Sequence, residues 1–363
     1  MKNDNRVVMT LDAGGTNLVF SAICNGEEIV EPINLCSEVN DLNGCLQVLL
    51  RGFTQVKEAL KEEPAAISFA FPGPADYEAG IIGDLPNFPS FRGGVALGPF
   101  LNKHFGIPVY INNDGSLFAY GEALAGSLPE LNQKLKDAGS CKQYHNLLGI
   151  TLGTGFGAGV VINNELLIGD NGCGGDVWCC RNKKYQECIV EESVSIRAVK
   201  RVYAELSGDN TDLTPKDIFD IAEGKREGNK QAAISSFEEL GEMAGDAIAS
   251  AVTLLDGVVA IGGGLSGASK YFMPALMREL NGTLGMMNGN RFSRLQMKAF
   301  NLEDPEELQQ FLKGEATKVQ IPGTDEWVDY DPYKRIGVMI SKQGANRSIA
   351  LGAYRYALAK MDK

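Results

Sequence analysis

A short polar stretch at 111–114, which reads INND, carries residue types suited to acid–base chemistry. A carboxylate at the end of a buried strand can accept a hydroxyl proton while that oxygen attacks phosphorus. The neighbouring amide of Asn113 can both donate to and accept from vicinal hydroxyl groups. We therefore interpret Asp114 as a candidate general base. The alternative is that Asp114 or Ser116 caps the helix that follows, and the two roles are compatible.

Three glycine-rich turns, each after a strand-like segment, could bind the phosphates of a nucleotide. They read DAGGTN at 12–17, GTGFGAG at 153–159 and GGG at 262–264. Without Cβ atoms, backbone N–H groups can approach an anion closely, although a hairpin turn alone would also need glycine. None of the three contains the G-K-[ST] of a Walker loop. The candidate nucleotide-binding residues are Asp12, Gly14, Gly15, Thr16, Asn17, Gly153, Thr154, Gly155, Gly262, Gly263 and Gly264.

The carboxylate of Asp12 opens the first of these turns. It would repel a phosphate directly, but it suits a divalent cation, because Mg²⁺ prefers oxygen ligands and keeps several of its waters. We therefore expect Asp12 to hold Mg²⁺ through water.

Composition and charge count against several classes of protein. The formal net charge is −12, with 34 Lys and Arg against 46 Asp and Glu, which disfavours nucleic acid and anionic membranes as partners. No apolar run reaches the roughly 18 residues of a membrane span, and the start MKNDNRVVMTLDAGG lacks the apolar region of a signal peptide. Eight cysteines without a secretion signal are typical of reduced thiols, so we expect a cytoplasmic protein.

Alternating strands and helices must position these residues. The spacing of apolar residues predicts a helix over 41–61, whereas 300–330 reads as an irregular, charged surface excursion. Strand pairs flank both DAGGTN and GTGFGAG, and this internal echo in a chain of 363 residues favours two domains facing each other across a cleft. We place an N-terminal lobe at 1–120, which a C-terminal helix at 345–363 could complete, and a C-terminal lobe at 121–344.

Five motifs follow one another along the chain: DAGGTN, FPGPAD, INNDGSLFAYGE, GITLGTGFGAG and AIGGGLS. On these motifs the chain resembles the ROK family of sugar kinases over nearly its full length. The resemblance implies an α/β fold of two ribonuclease H-like (actin-like ATPase) domains with a cleft between them. It also implies a glucokinase- or hexokinase-like enzyme of carbohydrate metabolism. Such an enzyme transfers the γ-phosphoryl group of ATP to a hexose hydroxyl, with Asp114 as the base and ATP and Mg²⁺ as cofactors, and the resemblance suggests a homodimer.

The resemblance also implies roles at single positions. The three glycine turns match the family's two phosphate motifs and its adenosine motif. Asn87 lies in LPNFP, which is similar to the family's sugar loop, and Asp176 stands where the family has a sugar-binding Glu. Glu191 matches the family's Glu after its last zinc cysteine. The implied sugar contacts are therefore Asn87, Asn113, Asp114, Asp176 and Glu191.

The cysteine segment departs from the family pattern. The family has a His that binds both sugar and zinc, followed by C-x-C-G-x-x-G-C-x-E. This chain reads GGDVWCCRNKKYQECIVEE instead, with Cys179 in place of the His. Adjacent cysteines suit tetrahedral zinc poorly. We therefore expect free thiols rather than a structural zinc site at Cys173, Cys179, Cys180 and Cys188.

Two other functions stay open on the sequence alone. The first is a non-catalytic sugar-binding or sensor protein on the same fold, which the altered cysteine segment favours. The second is an actin- or Hsp70-like ATPase without a sugar substrate, which is disfavoured because it would not explain why INND and LPNFP occur together. A family repressor is not expected, because its added N-terminal helix-turn-helix domain has no counterpart ahead of the first strand-like segment. The hexose stays open among glucose, N-acetylglucosamine, N-acetylmannosamine, mannose, fructose and allose. Glucose is the commonest inference from the family, with transfer to its C6 hydroxyl.

Overall fold

A computed structural model of the chain describes residues 4–13, 17–38, 40–85 and 89–363. Within these ranges the strands, in chain order, are β1 (Val8–Ala13), β2 (Asn17–Cys24), β3 (Glu27–Glu28), β4 (Ile33–Cys36), β5 (Ala66–Ala70), β6 (Ala75–Asp76), β7 (Ile81–Ile82), β8 (Val109–Asn112), β9 (Leu147–Leu152), β10 (Phe156–Ile162), β11 (Glu165–Leu166), β12 (Val258–Gly262), β13 (Thr283–Gly285), β14 (Arg291–Ser293), β15 (Lys298–Asn301), β16 (Thr317–Gln320), β17 (Trp327–Tyr330) and β18 (Arg335–Ile340). The α-helices are α1 (Leu42–Ala59), α2 (Leu97–Phe105), α3 (Asp114–Ala125), α4 (Ser127–Asp137), α5 (Ile196–Ser207), α6 (Pro215–Ala222), α7 (Lys230–Leu255), α8 (Ser269–Leu280), α9 (Pro305–Lys313) and α10 (Ala345–Met361). Short 3-10 turns occupy Val177–Cys179, Val190–Glu192 and Ser266–Ala268.

The chain divides into two units. The first comprises residues 1–126, 165–174 and 343–363, and the second comprises 127–164 and 175–342. Each unit combines a mixed sheet with helices, which confirms the predicted α/β class. The lobe boundary near residue 120 stays a prediction. None of the helices in the described part of the chain is both long and apolar enough to cross a membrane.

In the first unit a sheet runs in the order β3-β2-β1-β5-β8, and β4 also pairs with β2. β1 and β2 are antiparallel, whereas β5 runs parallel to both β1 and β8. The carboxyl ends of β1, β5 and β8 therefore meet at one edge, which brings Asp12 and the INND stretch to the same side of the sheet. The predicted helix at 41–61 forms as α1, whose buried face packs against β1, β2 and β4.

Helices α3 and α10 of the first unit approach each other at two glycines. A Cβ atom at Gly121 of α3 would collide with the carbonyl of Ser348, and one at Gly352 of α10 would collide with the carbonyl of Leu117. Glycine at both positions therefore lets the two backbones touch. This contact fixes α10 beside the start of α3, where Asp114 lies.

In the second unit the strand order is β10-β9-β12-β18-β15. β9 and β10 form an antiparallel pair, and β12 runs parallel to both β9 and β18. The long helix α7 packs against α5 and α8 over the main hydrophobic core. Because β9 and β12 are parallel neighbours, the glycine turns that follow them, at 153–155 and 262–264, lie at the same edge of the sheet.

Residues 300–330 are more regular than the sequence interpretation allowed. Helix α9 begins after Asp304, whose Oδ1 accepts from the backbone N–H groups of Glu306 and Glu307, and Pro305 occupies its first position. β16 then pairs with β17 in a two-stranded hairpin. The interpretation as an irregular segment was wrong, because Asp-Pro is itself a helix-start signal.

Candidate active site

The first unit holds a cavity of about 310 Å³ at the carboxyl edge of its parallel strands. Asp12 lies near the end of β1, and Asp114 begins α3 directly after Asn113. All three line this cavity, together with Asn346 of α10. The amide of Asn346 donates to Oδ2 of Asp12 over 3.0 Å. The structure thus brings together the strand-end residues that the sequence singled out, and it adds Asn346, which sequence reasoning missed.

Asn113 is the N-cap of α3. Its backbone is extended (φ −71°, ψ 148°), and its Oδ1 accepts from the N–H groups of Gly115 over 2.8 Å and Ser116 over 3.4 Å. The alternative in which Asp114 or Ser116 caps this helix therefore named the wrong residue. Because the oxygen of Asn113 serves the cap, its amide nitrogen is the donor that it can offer to a ligand.

Asp114 occupies the first position of α3. Its Oδ1 accepts from the backbone N–H of Gly115 over 2.8 Å. The positive end of the helix dipole favours a negative charge at this position. A carboxylate must be ionised before it can accept a proton as a general base, so the position suits the predicted role.

The two carboxylates of this cavity act on each other. Although Asp12 reaches solvent, the protein atoms around it displace part of its hydration and raise its pKa, and the negative charge of Asp114 raises it further. A divalent cation beside Asp12 would relieve both effects. Carboxylate and amide oxygens are the donors that Mg²⁺ prefers, so the side chains of this cavity fit the predicted ion.

Several predicted positions fall outside the described residues. These are Asn87 of the sugar loop and Gly14, Gly15 and Thr16 of the first glycine turn. Asn17, the last residue of that turn, opens β2 opposite Cys36 of β4 and is exposed. The structure therefore places the first and last residues of this turn, at the ends of two paired strands.

In the second unit, the second glycine turn is held by the segment that leads into α5. The carbonyl of Gly153 accepts from the N–H of Ile196 over 2.8 Å, and the N–H of Phe156 donates to Oε2 of Glu191 over 3.0 Å. A Cβ atom at Gly155 would lie only 2.6 Å from that same oxygen. Any larger residue at 155 would therefore have to displace the carboxylate of Glu191, independently of any phosphate.

Arg197 completes this arrangement, which we call the Glu191 clamp (Glu191 and Arg197). Its Nη2 donates to Glu192 over 2.7 Å and to Oε1 of Glu191 over 3.0 Å, and its Nη1 donates to the carbonyl of Thr154 over 3.4 Å. The bonds to Glu192 and Glu191 outweigh partial burial and raise the pKa of Arg197. The carboxylate of Glu191, expected to face a sugar, is thus engaged with the glycine turn. No local pattern in the sequence signals this contact, because it joins positions 35 residues apart.

The third glycine turn is fixed to the second. Gly262 ends β12 opposite Thr151 of β9. Gly263 has a φ of +91°, in the left-handed region, and a Cβ atom there would collide with the carbonyl of Leu152. The N–H of Leu265 donates to that carbonyl over 3.0 Å. The second and third of the predicted nucleotide turns are therefore joined by direct backbone contacts.

Asp176 lies apart from these turns in the described hydrogen-bond pattern. It is exposed and precedes the 3-10 turn at Val177–Cys179, and its backbone carbonyl accepts from the thiol of Cys179 over 3.0 Å. In the described ranges, no three His, Cys, Asp or Glu side chains are grouped so that they could hold a metal ion. Four thiols of this region are exposed and free: Cys173, Cys179, Cys180 and Cys188.

The chain is similar over most of its length to sugar kinases of known sequence or structure. The model of the ROK family matches residues 8–301. The crystal structure of a glucokinase from Parabacteroides distasonis is 66% identical, with a TM-score of 0.92 and 98% of each chain covered. The glucokinase of Thermotoga maritima is 26% identical over 74% of this chain and 86% of its own. The N-acetyl-D-glucosamine kinase of Vibrio cholerae is 26% identical over 70% of this chain and 83% of its own.

Proposed function

The chain belongs to the ROK family, and from that premise we propose that it is an ATP-dependent hexose kinase that phosphorylates the C6 hydroxyl of glucose. The observation that carries this proposal is the cavity at which Asp12, Asn113 and Asp114 converge. Likeness to two glucokinases, one of them 66% identical over 98% of the chain, supports glucose as the acceptor. Likeness to an N-acetyl-D-glucosamine kinase makes N-acetylglucosamine the second hexose to test, with mannose after it.

Asp114 acts as the general base. As the bond forms between the sugar oxygen and the γ-phosphorus, the bond from that phosphorus to the bridging oxygen of ADP breaks, and the hydroxyl proton passes to the carboxylate. The cap made by Asn113 fixes the backbone before Asp114, and the N–H of Gly115 holds its Oδ1. We therefore assign the proton to Oδ2.

The nucleotide is held by the glycine turns at 12–17, 153–155 and 262–264. Their backbone N–H groups and the hydroxyl of Thr154 donate to phosphate oxygens, as suits a chain with a net charge of −12. Asp12 would hold Mg²⁺ through water. Bound Mg²⁺ would neutralise charge on the phosphate oxygens.

The sugar is bound by Asn113 and Asp114, with Asn87, Asp176 and Glu191 as further neighbours. The amide nitrogen of Asn113 donates to a hydroxyl beside the one that reacts. A carboxylate has about four acceptor positions, so Glu191 can contact a sugar hydroxyl while it holds the glycine turn.

We further propose that the enzyme is a cytoplasmic homodimer without a nucleic-acid partner. The net charge of −12 supports the absence of nucleic acid, because a phosphate backbone requires clustered cations. The family resemblance supports the dimer, and sedimentation of the purified protein would test it.

The Asp114→Asn variant tests the proposal. Because the amide keeps the shape of the carboxylate but cannot take the proton, kcat should fall by about 10²- to 10⁴-fold. Binding of glucose and of a non-hydrolysable ATP analogue should change little. Asp170→Asn, which neutralises an exposed carboxylate of the same unit, is the matched control.

A coupled ADP-release assay on a panel of hexoses gives the readout. An Asp114→Asn enzyme that kept most of its turnover would refute the assignment of the base. A wild-type protein that bound glucose but released no ADP with any hexose would instead be a sugar-binding sensor.

A further inference from the structure

A second cavity, of about 600 Å³, opens in the second unit. Its walls come from the segment before β9, the C-terminal end of α7, the stretch between β14 and β15, and the start of β18. The cavity therefore lies at the amino-terminal ends of the parallel strands β9 and β12. The glycine turns follow the carboxyl ends of the same two strands. At about 3.3 Å per residue, the 6 residues of β9 separate the two edges by roughly 20 Å. The cavity is thus distinct from the proposed nucleotide site.

The lining of this cavity is cationic, although the chain as a whole is acidic. Four basic side chains and one carboxylate, that of Asp256, line it in a protein of net charge −12. Arg294 and Arg335 pair with Asp246 and Asp331 behind the wall, so the excess positive charge of the lining comes from Lys142 and Lys334. Charges of one sign along a concave wall reinforce one another and attract the opposite charge. The four basic residues are Lys142, Arg294, Lys334 and Arg335.

Arg294 offers an unused donor at this wall. Its Nη2 donates to Ser250 over 2.9 Å and to the carboxylate and carbonyl of Asp246 over 3.2 Å, which anchors the side chain on α7. Its Nε is buried and has no hydrogen-bond partner among the described residues. A buried donor without an acceptor costs about 1–3 kcal/mol, so a small shift of this wall that admitted an acceptor oxygen to Nε would be stabilising.

Arg335 lies buried behind the same wall, where Asp331 balances its charge. Its side chain is fully buried, its Nε donates to the carbonyl of Phe311 over 2.7 Å, and its Nη1 pairs with Asp331 over 2.7 Å. Burial lowers the pKa of Lys142 and the charge of Arg335 lowers it further, whereas the carboxylates of Asp331 and Asp256 act in the opposite direction. An anion beside Lys142 would offset the repulsion from Arg335.

The chemistry of the remaining wall narrows the class of anion. Amide side chains, which suit hydroxyl groups, also line the cavity: Gln143, Asn163 and Gln296. Asn146 lines it too, but backbone groups occupy both ends of its amide. A phosphate monoester carries a charge of about −1.5 to −2 at pH 7 and three acceptor oxygens. We propose that this cavity binds a small phosphate monoester of the sugar-phosphate class, with its phosphate near Arg294, Lys142 and Lys334. The product of the proposed kinase reaction belongs to that class, but the inference rests on this cavity and not on the proposed function.

Calorimetric titration of the full chain with glucose 6-phosphate tests the proposal. A saturating ATP analogue and glucose are present throughout, so that the proposed active site is filled. We expect one binding event per chain, weakened about tenfold by Lys334→Gln and by Arg294→Gln, since each removes one charged contact. Lys225→Gln, which removes an exposed lysine of the same unit, is the matched control and should bind as the wild type does. Because Arg294 also anchors α7, the exposed Lys334 keeps the test valid if Arg294→Gln fails to fold.

Further titrations identify the part of the ligand that is recognised. Inorganic phosphate that competes weakly supports a sugar phosphate, whereas phosphate that binds as tightly as the ester would overturn the sugar-phosphate class. No binding at millimolar concentrations, or binding that neither variant weakens, would overturn the site itself. Hexose-dependent ADP release by the same preparations keeps these outcomes separate from failure of the proposed kinase activity.

Discussion

The structure gives Glu191 a role that the sequence did not predict, as the acceptor that holds the second glycine turn, and the Glu191→Ala variant tests it. The substitution removes the bond from the N–H of Phe156, at 3.0 Å, and the pair with Arg197, also at 3.0 Å. Losing a hydrogen bond to a charged acceptor costs about 1.5–3 kcal/mol. The ion pair adds at most about 0.5 kcal/mol, because 46% of the Arg197 side chain is exposed. The ordered glycine turn should therefore lose about 2–3 kcal/mol.

That loss should appear in nucleotide binding. At about 1.4 kcal/mol for each factor of ten, the KM for ATP should rise about 30- to 150-fold. The KM for glucose should rise much less, because Glu191 is only a further neighbour of the sugar. Initial rates with ATP and glucose varied independently measure both constants. Glu192→Ala is the matched control. Glu192 also pairs with Arg197, at 2.7 Å, but unlike Glu191 it does not accept a hydrogen bond from the glycine turn. A raised KM for glucose with an unchanged KM for ATP would refute the role of the Glu191 clamp in nucleotide binding and would leave Glu191 as a sugar-binding residue only.

A double-mutant cycle sharpens this test. In Gly155→Ala the new Cβ atom would lie 2.6 Å from Oε2 of Glu191 and would push the carboxylate off the N–H of Phe156. The single variant should therefore reproduce part of the defect of Glu191→Ala. In the Glu191→Ala background the same change should add little, because the clash has gone. Fully additive effects would show that Gly155 acts without Glu191.

Three further outcomes follow from the described contacts. Asp12→Asn should abolish turnover yet raise Tm at pH 7. Because folding raises the pKa of Asp12, ionisation of this carboxyl opposes folding at a pH above that pKa, and the amide removes the penalty. The gain in Tm should vanish below the ordinary carboxyl pKa, where Asp12 is protonated in the folded and unfolded states alike. Gly121→Ala should lower stability by about 1–3 kcal/mol in a denaturant titration, because its Cβ atom would collide with the carbonyl of Ser348, and an unchanged midpoint would contradict the close helix contact. A thiol reagent should label the exposed cysteines quickly but Cys45 only on unfolding, because burial, with Glu38 and Asp41 nearby, raises the pKa of Cys45 to about 11. Metal analysis of the same protein that found one zinc ion per chain would contradict the free thiols expected at Cys179 and its neighbours.

Features governed by local sequence were predictable. The strand that ends at Asn112 and the turn into α3 follow from an apolar run, then polar residues, then helical spacing. The cap was predictable as well, since Asn is a preferred N-cap residue, but the sequence interpretation assigned it to Asp114 or Ser116. Helix α9 carried a comparable signal at Asp304 and Pro305 that was overlooked.

Features that join distant segments could not be predicted from the sequence. Asn346 reaches Asp12 across 334 residues, and the packing of α10 on α3, β1 and β5 brings them together. The bond between Glu191 and Phe156 depends likewise on where a 3-10 turn lies relative to a hairpin. The cavity in the second unit draws its lining from loops, a helix end and a strand start spread between 142 and 335, and none of these segments alone signals a site.

The glycines of the second unit show why a motif predicts a site better than it predicts the role of each residue. A Cβ atom at Gly263 would strike the carbonyl of Leu152, so the backbone requires glycine there, whereas one at Gly155 would displace the Glu191 side chain. At Gly153 and Gly264, by contrast, a Cβ atom would meet no described atom within 4 Å. Packing within the described chain therefore gives no reason for glycine at these two positions. The close approach of a phosphate or an adenosine does give one, so we infer that the backbone at Gly153 and Gly264 lies nearest to the nucleotide.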